Sequence, residues 1–403
     1  MAVAALLGGC PRIEVGGVPE AESAEPVIRV GLGGPARELT VGGGDGLIVA
    51  APDGGGLAAI PAGRPATASV EGSIVVVRSG GSMTTGATVS VKPGDPSGFV
   101  RVNGRDYRGE LLLTPATGGI LAVNVLTLEG YVAGVVNAEM GRRPPADSQA
   151  VFAQAVISRT VAVRSIGRYR VRGYDLVSTV SDQAYGGVVS ETEAGWAAVR
   201  ATRGEVLTYN GAVIEAFFHS TCGGRTEAVE EVFSGAPQVY LRSVSDRDPA
   251  GTAYCAISPR FRWREEWAGE DLVRVLRANA GIAKLSGDQI PVPGDLQVGA
   301  RSPTGRVAEL LVTGGGRVVP LGGQQVVRQV LRGADGGWLR STAFSVQATR
   351  SGGRIVRLVA EGGGNGHGVG MCQWGAVGRA RAGFSYPDIL SAYFPGTEIR
   401  RLF

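Results

Sequence analysis

Lysine and histidine are almost absent from this 403-residue chain, which has only Lys92, Lys284, His219 and His367. Arginine therefore carries nearly all the positive charge, and the net charge is a modest +4. No dense basic run and no nucleic-acid-binding motif goes with it, so nucleic acid is not the expected partner. Mild attraction to an anionic polymer stays open. Cysteine is scarce too: Cys10, Cys222, Cys255 and Cys372 are too few and too dispersed for a disulfide scaffold. Long hydrophobic runs are missing, and no stretch reaches the ~18 apolar residues of a membrane-spanning helix. The sequence has no G-x-S-x-G elbow, no Walker A loop and no H-E-x-x-H helix. The Gly-rich "GLGGPA" opens no helix in a βαβ unit, which argues against dinucleotide binding.

Glycine, by contrast, is abundant at 65 residues, and it falls in turns rather than at a collagen period. Apolar residues make up 44% and charged residues 19%, as in a folded globular protein. The first ten residues, "MAVAALLGGC", end in a pattern resembling a bacterial lipoprotein cleavage site, but the basic n-region is missing. Residues 1–26 are thus expected to be a truncated lipoprotein leader and tether with Cys10 as lipid anchor, or else a fortuitous match. From 27 to 125 short β-branched runs such as "SIVVVRS" and "ILAVNVL" alternate with Gly, Pro and Asp, which predicts strands. At "LTLEGYVAGVVNAEM" the period becomes helical, with "GRRPP" as the stop. A second helix is expected from a cap at Asp147 or Ser148, with Phe152, Val156, Val163 and Ile166 on its apolar face. Asn210-Gly211 predicts a hairpin turn. A short helix is expected from Asp271, strands return between 292 and 360, and Ser385 with Asp388 makes a capping box near the end. The expected fold class is α+β: a β-rich frame of short strands around a few helices, in a single large domain spanning 27–403. Its parts are a β-rich portion (27–125), a core (126–258), a β-rich insertion (259–365) and a closing segment (366–403).

Glu139 is the first residue with chemical promise. It ends an apolar helix, where burial and the negative pole of the helix both oppose ionisation. A carboxyl kept protonated can donate to a leaving-group oxygen. Glu129, at the opposite end of that helix, is read as structural. His219 in "FFHSTCGGRTE" and His367 in "GHGVGMCQWGA" each precede a cysteine among small residues. His219, Cys222, Cys255 and Cys372 could together hold a zinc ion, though the spacing lacks the usual C-x-x-C knuckle. A Cys222–Cys255 disulfide, buried unlinked thiols, or a reactive cysteine beside a histidine are the rival readings.

Six ordered blocks, "LEGYVAGVVNAEM", "QAVISRTVAV", "DQAYGG", "AFFHSTCGGRTE", "YLRSVSDRD" and "GHGVGMCQWGA", make the chain resemble the stage II sporulation protein D and amidase-enhancer family. The resemblance covers nearly all of 27–403. It implies a cell-envelope protein acting on peptidoglycan: a lytic transglycosylase that cleaves peptide-stripped glycan strands, with Glu139 as general acid and base and no cofactor required. The alternative it allows is a non-catalytic, peptidoglycan-binding enhancer of an N-acetylmuramoyl-L-alanine amidase. By position in matching blocks, Arg159, Tyr185, His219, His367 and Gln373 are implied to bind substrate. Asp182 is the nearest second carboxylate. Many members of the family have Ser where this chain has Cys222 and Cys372.

Overall fold

The structure is a computed structural model that describes residues 24–52 and 57–403, so Cys10 and most of the expected leader lie outside the described residues. Between Val27 and Thr127 the β-branched runs form two sheets. The larger runs Leu176–Val177, Val27–Gly31, Gly119–Thr127, Glu110–Ala116, Val89–Pro93, Leu47–Ala50 and Leu57–Ile60 in spatial order. The smaller contains Glu38–Gly42, Ala66–Glu71 and Ile74–Ser79 among its six strands. Alternate residues such as Ile28 and Val30, Leu39 and Val41, and Leu111 and Leu113 are buried between the layers in one core. The period of two thus drives each strand's apolar face inward.

Helix α1 (Leu128–Met140) follows the strand Gly119–Thr127 directly. Thr127 caps it, its side chain accepting from the Gly130 N–H at 3.3 Å. Leu128, Tyr131, Val132, Val135 and Val136 are fully buried and dock α1 on the first core, each worth roughly 1.5–3 kcal/mol. Gly141, at φ 67°, ends the helix. Helix α2 (Ser148–Ser165) packs against α1, against α3 (Glu193–Ala201) and against two later helices. It is enclosed on so many sides that its polar residues Gln154, Ser158, Arg159 and Thr160 are buried. The expectation of one apolar face is therefore corrected: Ile166 is exposed and Arg159 lies inside. Asp147 sits at the cap position of α2 but makes no capping bond. Its carboxylate instead accepts from Arg381 at 2.7 and 3.1 Å, tying the start of α2 to the C-terminal region.

The Asn210-Gly211 turn joins Glu205–Tyr209 to Ala212–Val213 with φ of 50° and 78°, as a type I′ turn requires. Glu205–Tyr209 also pairs with Glu398–Arg401, so the chain's end closes on its middle. A separate hydrophobic core lies between Trp263 and Ala360. There two three-stranded sheets enclose α4 (Gly269–Ala278) and α5 (Gln324–Val330). A further core joins α2, α6 (Gln373–Arg381) and α7 (Tyr386–Tyr393) to the segments around Cys222 and Cys255. Ser385 and Asp388 form the expected capping box on α7. The α+β class is as the sequence indicates, in one domain with several sheets. Among the described residues, no helix is long and apolar enough to cross a membrane.

Candidate functional site

A cleft of ≈ 770 Å³ opens where the C-terminal end of α1, the outer face of α2, the segment 215–220 and the closing segment meet. Glu139 lines it, with Arg164, Phe217, His219, Arg328, Trp338 and Gln373 among its neighbours. A second, more open groove of ≈ 860 Å³ lies along Trp263, Arg301 and Phe344, and none of the residues singled out for chemistry lines it.

The last turn of α1 presents Glu139 half-buried. One oxygen, Oε1, accepts the Ala184 N–H at 2.6 Å. Burial raises its pKa above the usual carboxylate value, and the bond from Ala184 opposes that only in part. The "DQAYGG" block explains why Ala184 is there, because its residues are anchored in turn. Asp182 accepts from Arg168 Nη1 at 2.8 Å and from the Val177 N–H at 2.7 Å. Gln183 donates to the Tyr131 hydroxyl and the Ser158 carbonyl, both at 3.2 Å. Tyr185 donates to Asn124 Oδ1 at 2.6 Å. The loop is pinned so that one backbone N–H meets Glu139.

Two expected substrate contacts are overturned by these positions. Tyr185 is buried against Tyr107 and Tyr131, away from the cleft. Arg159 is fully buried and paired with Glu129: Nη2 donates to Oε2 at 2.6 Å and Nε to Oε1 at 3.0 Å, while Nη1 donates to the Glu205 carbonyl at 2.9 Å. Both residues hold the fold, because a buried guanidinium keeps its charge only when so fully bonded. Asp182 also lines the cleft, but its ion pair and backbone bond commit both oxygens.

The glycines of "GHGVG" bring the closing segment against the strand Phe218–His219. Met371 and Cys372 pair in parallel with Phe218 and His219. At Gly370, φ is 70° and an added Cβ would lie 2.1 Å from the Phe217 carbonyl; at Gly366, φ is 113° and it would lie 2.8 Å from His219 Cβ. Only glycine fits both demands. The two histidines are then used differently. His367 donates from Nε2 to the Phe218 carbonyl at 2.9 Å and accepts the Val369 N–H on Nδ1 at 3.1 Å. Both nitrogens are spent on backbone, so its expected contact to substrate is replaced by a buttressing role. Burial and the nearby Arg328 push its pKa down to about 3. His219 donates from Nδ1 to the Val369 carbonyl at 3.1 Å, and its Nε2 has no partner among the described residues. Burial holds it well below the usual histidine pKa, and Nε2 is itself shut off from the cleft space, so the expected contact of His219 to substrate is not available. Gln373 reaches the Glu139 carbonyl at 3.5 Å and Gln154 Oε1 at 3.3 Å, linking the closing segment to the end of α1.

Beyond the cleft, Cys222, Cys255, Cys372 and Asp246 meet in a buried cluster, all free of disulfides. The expected set included His219, which is not in the cluster; Asp246 lies with the cysteines instead. Asp246 lies in the block "YLRSVSDRD", where nothing local sets it apart. The same holds of Glu215, exposed at the cleft, of Arg328 and of the half-exposed Trp338. No local signal marks the last three, since they converge only through the fold.

The site defines a class: an α+β protein whose arginine-lined cleft presents one carboxyl held toward its protonated form. Comparison with known proteins sharpens this. The stage II sporulation protein family model matches residues 116–209, and a domain of unknown function matches 253–370. Stage II sporulation protein D of Bacillus amyloliquefaciens is 31% identical over 69% of this chain and 75% of its own length. An uncharacterized protein of Brachyspira hyodysenteriae is 30% identical over 74% of this chain and 73% of its own. The amidase enhancer of Bacillus subtilis is 28% identical over 62% of this chain, which spans only 38% of that relative. The chain belongs to the stage II sporulation protein D family.

Proposed function

We propose that this protein is a peptidoglycan lytic transglycosylase of the cell envelope, with Glu139 as its single acid and base. The observation that carries the reading is the state of Glu139, a cleft carboxyl whose burial favours the proton it must donate. In the forward step that proton passes to the glycosidic oxygen between N-acetylmuramic acid and N-acetylglucosamine, and the C1–O bond breaks. Positive charge develops at the muramoyl C1. The muramoyl C6 hydroxyl then attacks C1 and gives its proton to the Glu139 carboxylate, closing an anhydro ring and restoring the acid. One carboxyl suffices and water is not consumed, unlike hydrolysis by paired carboxylates.

The cleft wall supports the same substrate. Glycan strands without stem peptides expose a lactyl carboxylate on every muramoyl residue. Arg164 and Arg328 line the cleft with positive charge that suits it, and Trp338 offers a ring face to a sugar.

A second reading has one specific support: the name of the Bacillus subtilis relative, an amidase enhancer. On that reading the same cleft holds glycan for a partner amidase and Glu139 breaks no bond. Mass spectrometry of products from peptide-stripped glycan separates the readings. Anhydro-muramoyl ends that vanish with Glu139→Gln support the transglycosylase. Reducing ends point to hydrolysis. No cleavage by either protein, with amidase stimulation unchanged by the substitution, favours the enhancer.

A further inference from the structure

The cluster behind the cleft has no task in the reaction proposed above. Cys222 Sγ lies 3.5 Å from Cys255 Sγ and 3.2 Å from Asp246 Oδ2. All four donor atoms lie within 4.8 Å of one another, and all four residues are buried. Tetrahedral zinc with Zn–S near ~2.3 Å and Zn–O near ~2.0 Å sets ligand atoms roughly 3.5–3.8 Å apart, a distance inside the 4.8 Å span of these four donors. We infer that Cys222, Asp246, Cys255 and Cys372 form a structural zinc site that clasps three distant segments behind the cleft.

The surroundings also supply hydrogen-bond donors to sulfur. Backbone N–H groups converge on sulfur: Cys222 and Gly375 donate to Cys372 Sγ at 3.1 and 3.2 Å, and Gly224 donates to Cys222 Sγ at 3.3 Å. Such donors stabilise negative sulfur. Asp246 is held by its other oxygen, which accepts the Tyr393 hydroxyl at 2.6 Å and faces Arg379 Nε at 3.4 Å, leaving Oδ2 toward the sulfurs. Three thiolates and one carboxylate around a divalent ion leave a buried net charge of −2 at the cluster. Arg379 offsets part of it. Arg306, 2% exposed, offsets more: its Nη2 donates to the Cys222 carbonyl at 2.8 Å, and its Nη1 has no partner among the described residues.

A Cys222–Cys255 disulfide explains less. It would leave Cys372 with two N–H donors on a neutral, unpaired sulfur and Asp246 with no partner at Oδ2 but a spent cysteine. With four protein ligands the metal has no open position, so its task is structural. Cys222 is three residues beyond His219, Cys372 immediately precedes Gln373, and both neighbours line the cleft. The ion would therefore lock the wall opposite Glu139 in place.

This inference stands independently of the catalytic reading, because metal content is measured without activity. Untagged full-length protein, purified without added metal or chelator, is expected to carry one equivalent of zinc by plasma mass spectrometry. Its three thiols should resist a thiol reagent until a chelator is added. Cys255→Ser and Asp246→Asn should lose the zinc, while His219→Ala should keep it. Loss of zinc in His219→Ala would overturn this ligand set. Metal-free protein would overturn the site, whether its thiols react freely or two hydrogens are missing from a Cys222–Cys255 cross-linked peptide. Should the cysteine variant fail to fold, cobalt substitution of the unaltered protein decides: absorption of tetrahedral, sulfur-rich cobalt supports the site, and its absence refutes it.

Discussion

Helix α1 carries a glutamate near each end, and the two ends have opposite fates. At the N-terminal end Glu129 is buried, accepts two bonds from Arg159 and accepts the Gly204 N–H at 2.9 Å. At the C-terminal end Glu139 has one bond, from Ala184, and a cleft in front of it. The same side chain is inert where its lone pairs are filled and a guanidinium matches its charge. It becomes available where burial is half complete and no cation answers it. The histidines repeat the lesson: His367 spends both nitrogens on backbone and His219 spends one.

That contrast can be broken deliberately. Glu139→Gln should lower glycan cleavage by roughly 10²–10⁴-fold while leaving the melting temperature nearly unchanged, as chromatography of products and calorimetry would show. Glu129→Ala should do the reverse. It strands a fully buried arginine, so chemical denaturation should reveal a loss of about 3–5 kcal/mol, larger than any loss from the Glu139 substitution. His367→Ala removes an acceptor and a donor from buried backbone and should cost about 1–3 kcal/mol in the same measurement. His219→Ala removes a single backbone bond, to the Val369 carbonyl, and should cost less stability than His367→Ala in that measurement.

The smallest effect expected is in the pH dependence of stability. A carboxyl whose folded pKa is raised favours the folded state fully only below its unfolded pKa, and that contribution fades as pH rises through the folded value. Stability of the native protein relative to Glu139→Gln should therefore fall with rising pH between those two points and be flat below them. Activity should decline over the same upper range, since the donor must carry its proton.

Much of the frame was legible. The period of two before Thr127, the helix that follows it, the Asn210-Gly211 turn and the Ser385 capping box all express local chemistry, and each appears where residues of that type demand it. The second helix was legible as a helix but not as a buried one. Its neighbours α3, α6 and α7 come from elsewhere in the chain, and they turn Arg159 from a surface cation into a core ion pair. The cysteine cluster was half legible: three cysteines in similar settings mark it, but Asp246 carries no local mark and His219 is closer in sequence.

The sequence by itself determined the α+β class, the position of Glu139 at the end of an apolar helix, and the glycine-built turn of "GHGVG". These follow from propensity, period and backbone sterics, which act over a few residues. Only the tertiary structure decided which polar side chains are spent and which are free. Gln373 meets the Glu139 carbonyl across 234 positions, and Cys222 meets Cys372 across 150. Burial and partnership set the charge state of a side chain, and both are supplied by segments the local sequence does not contain.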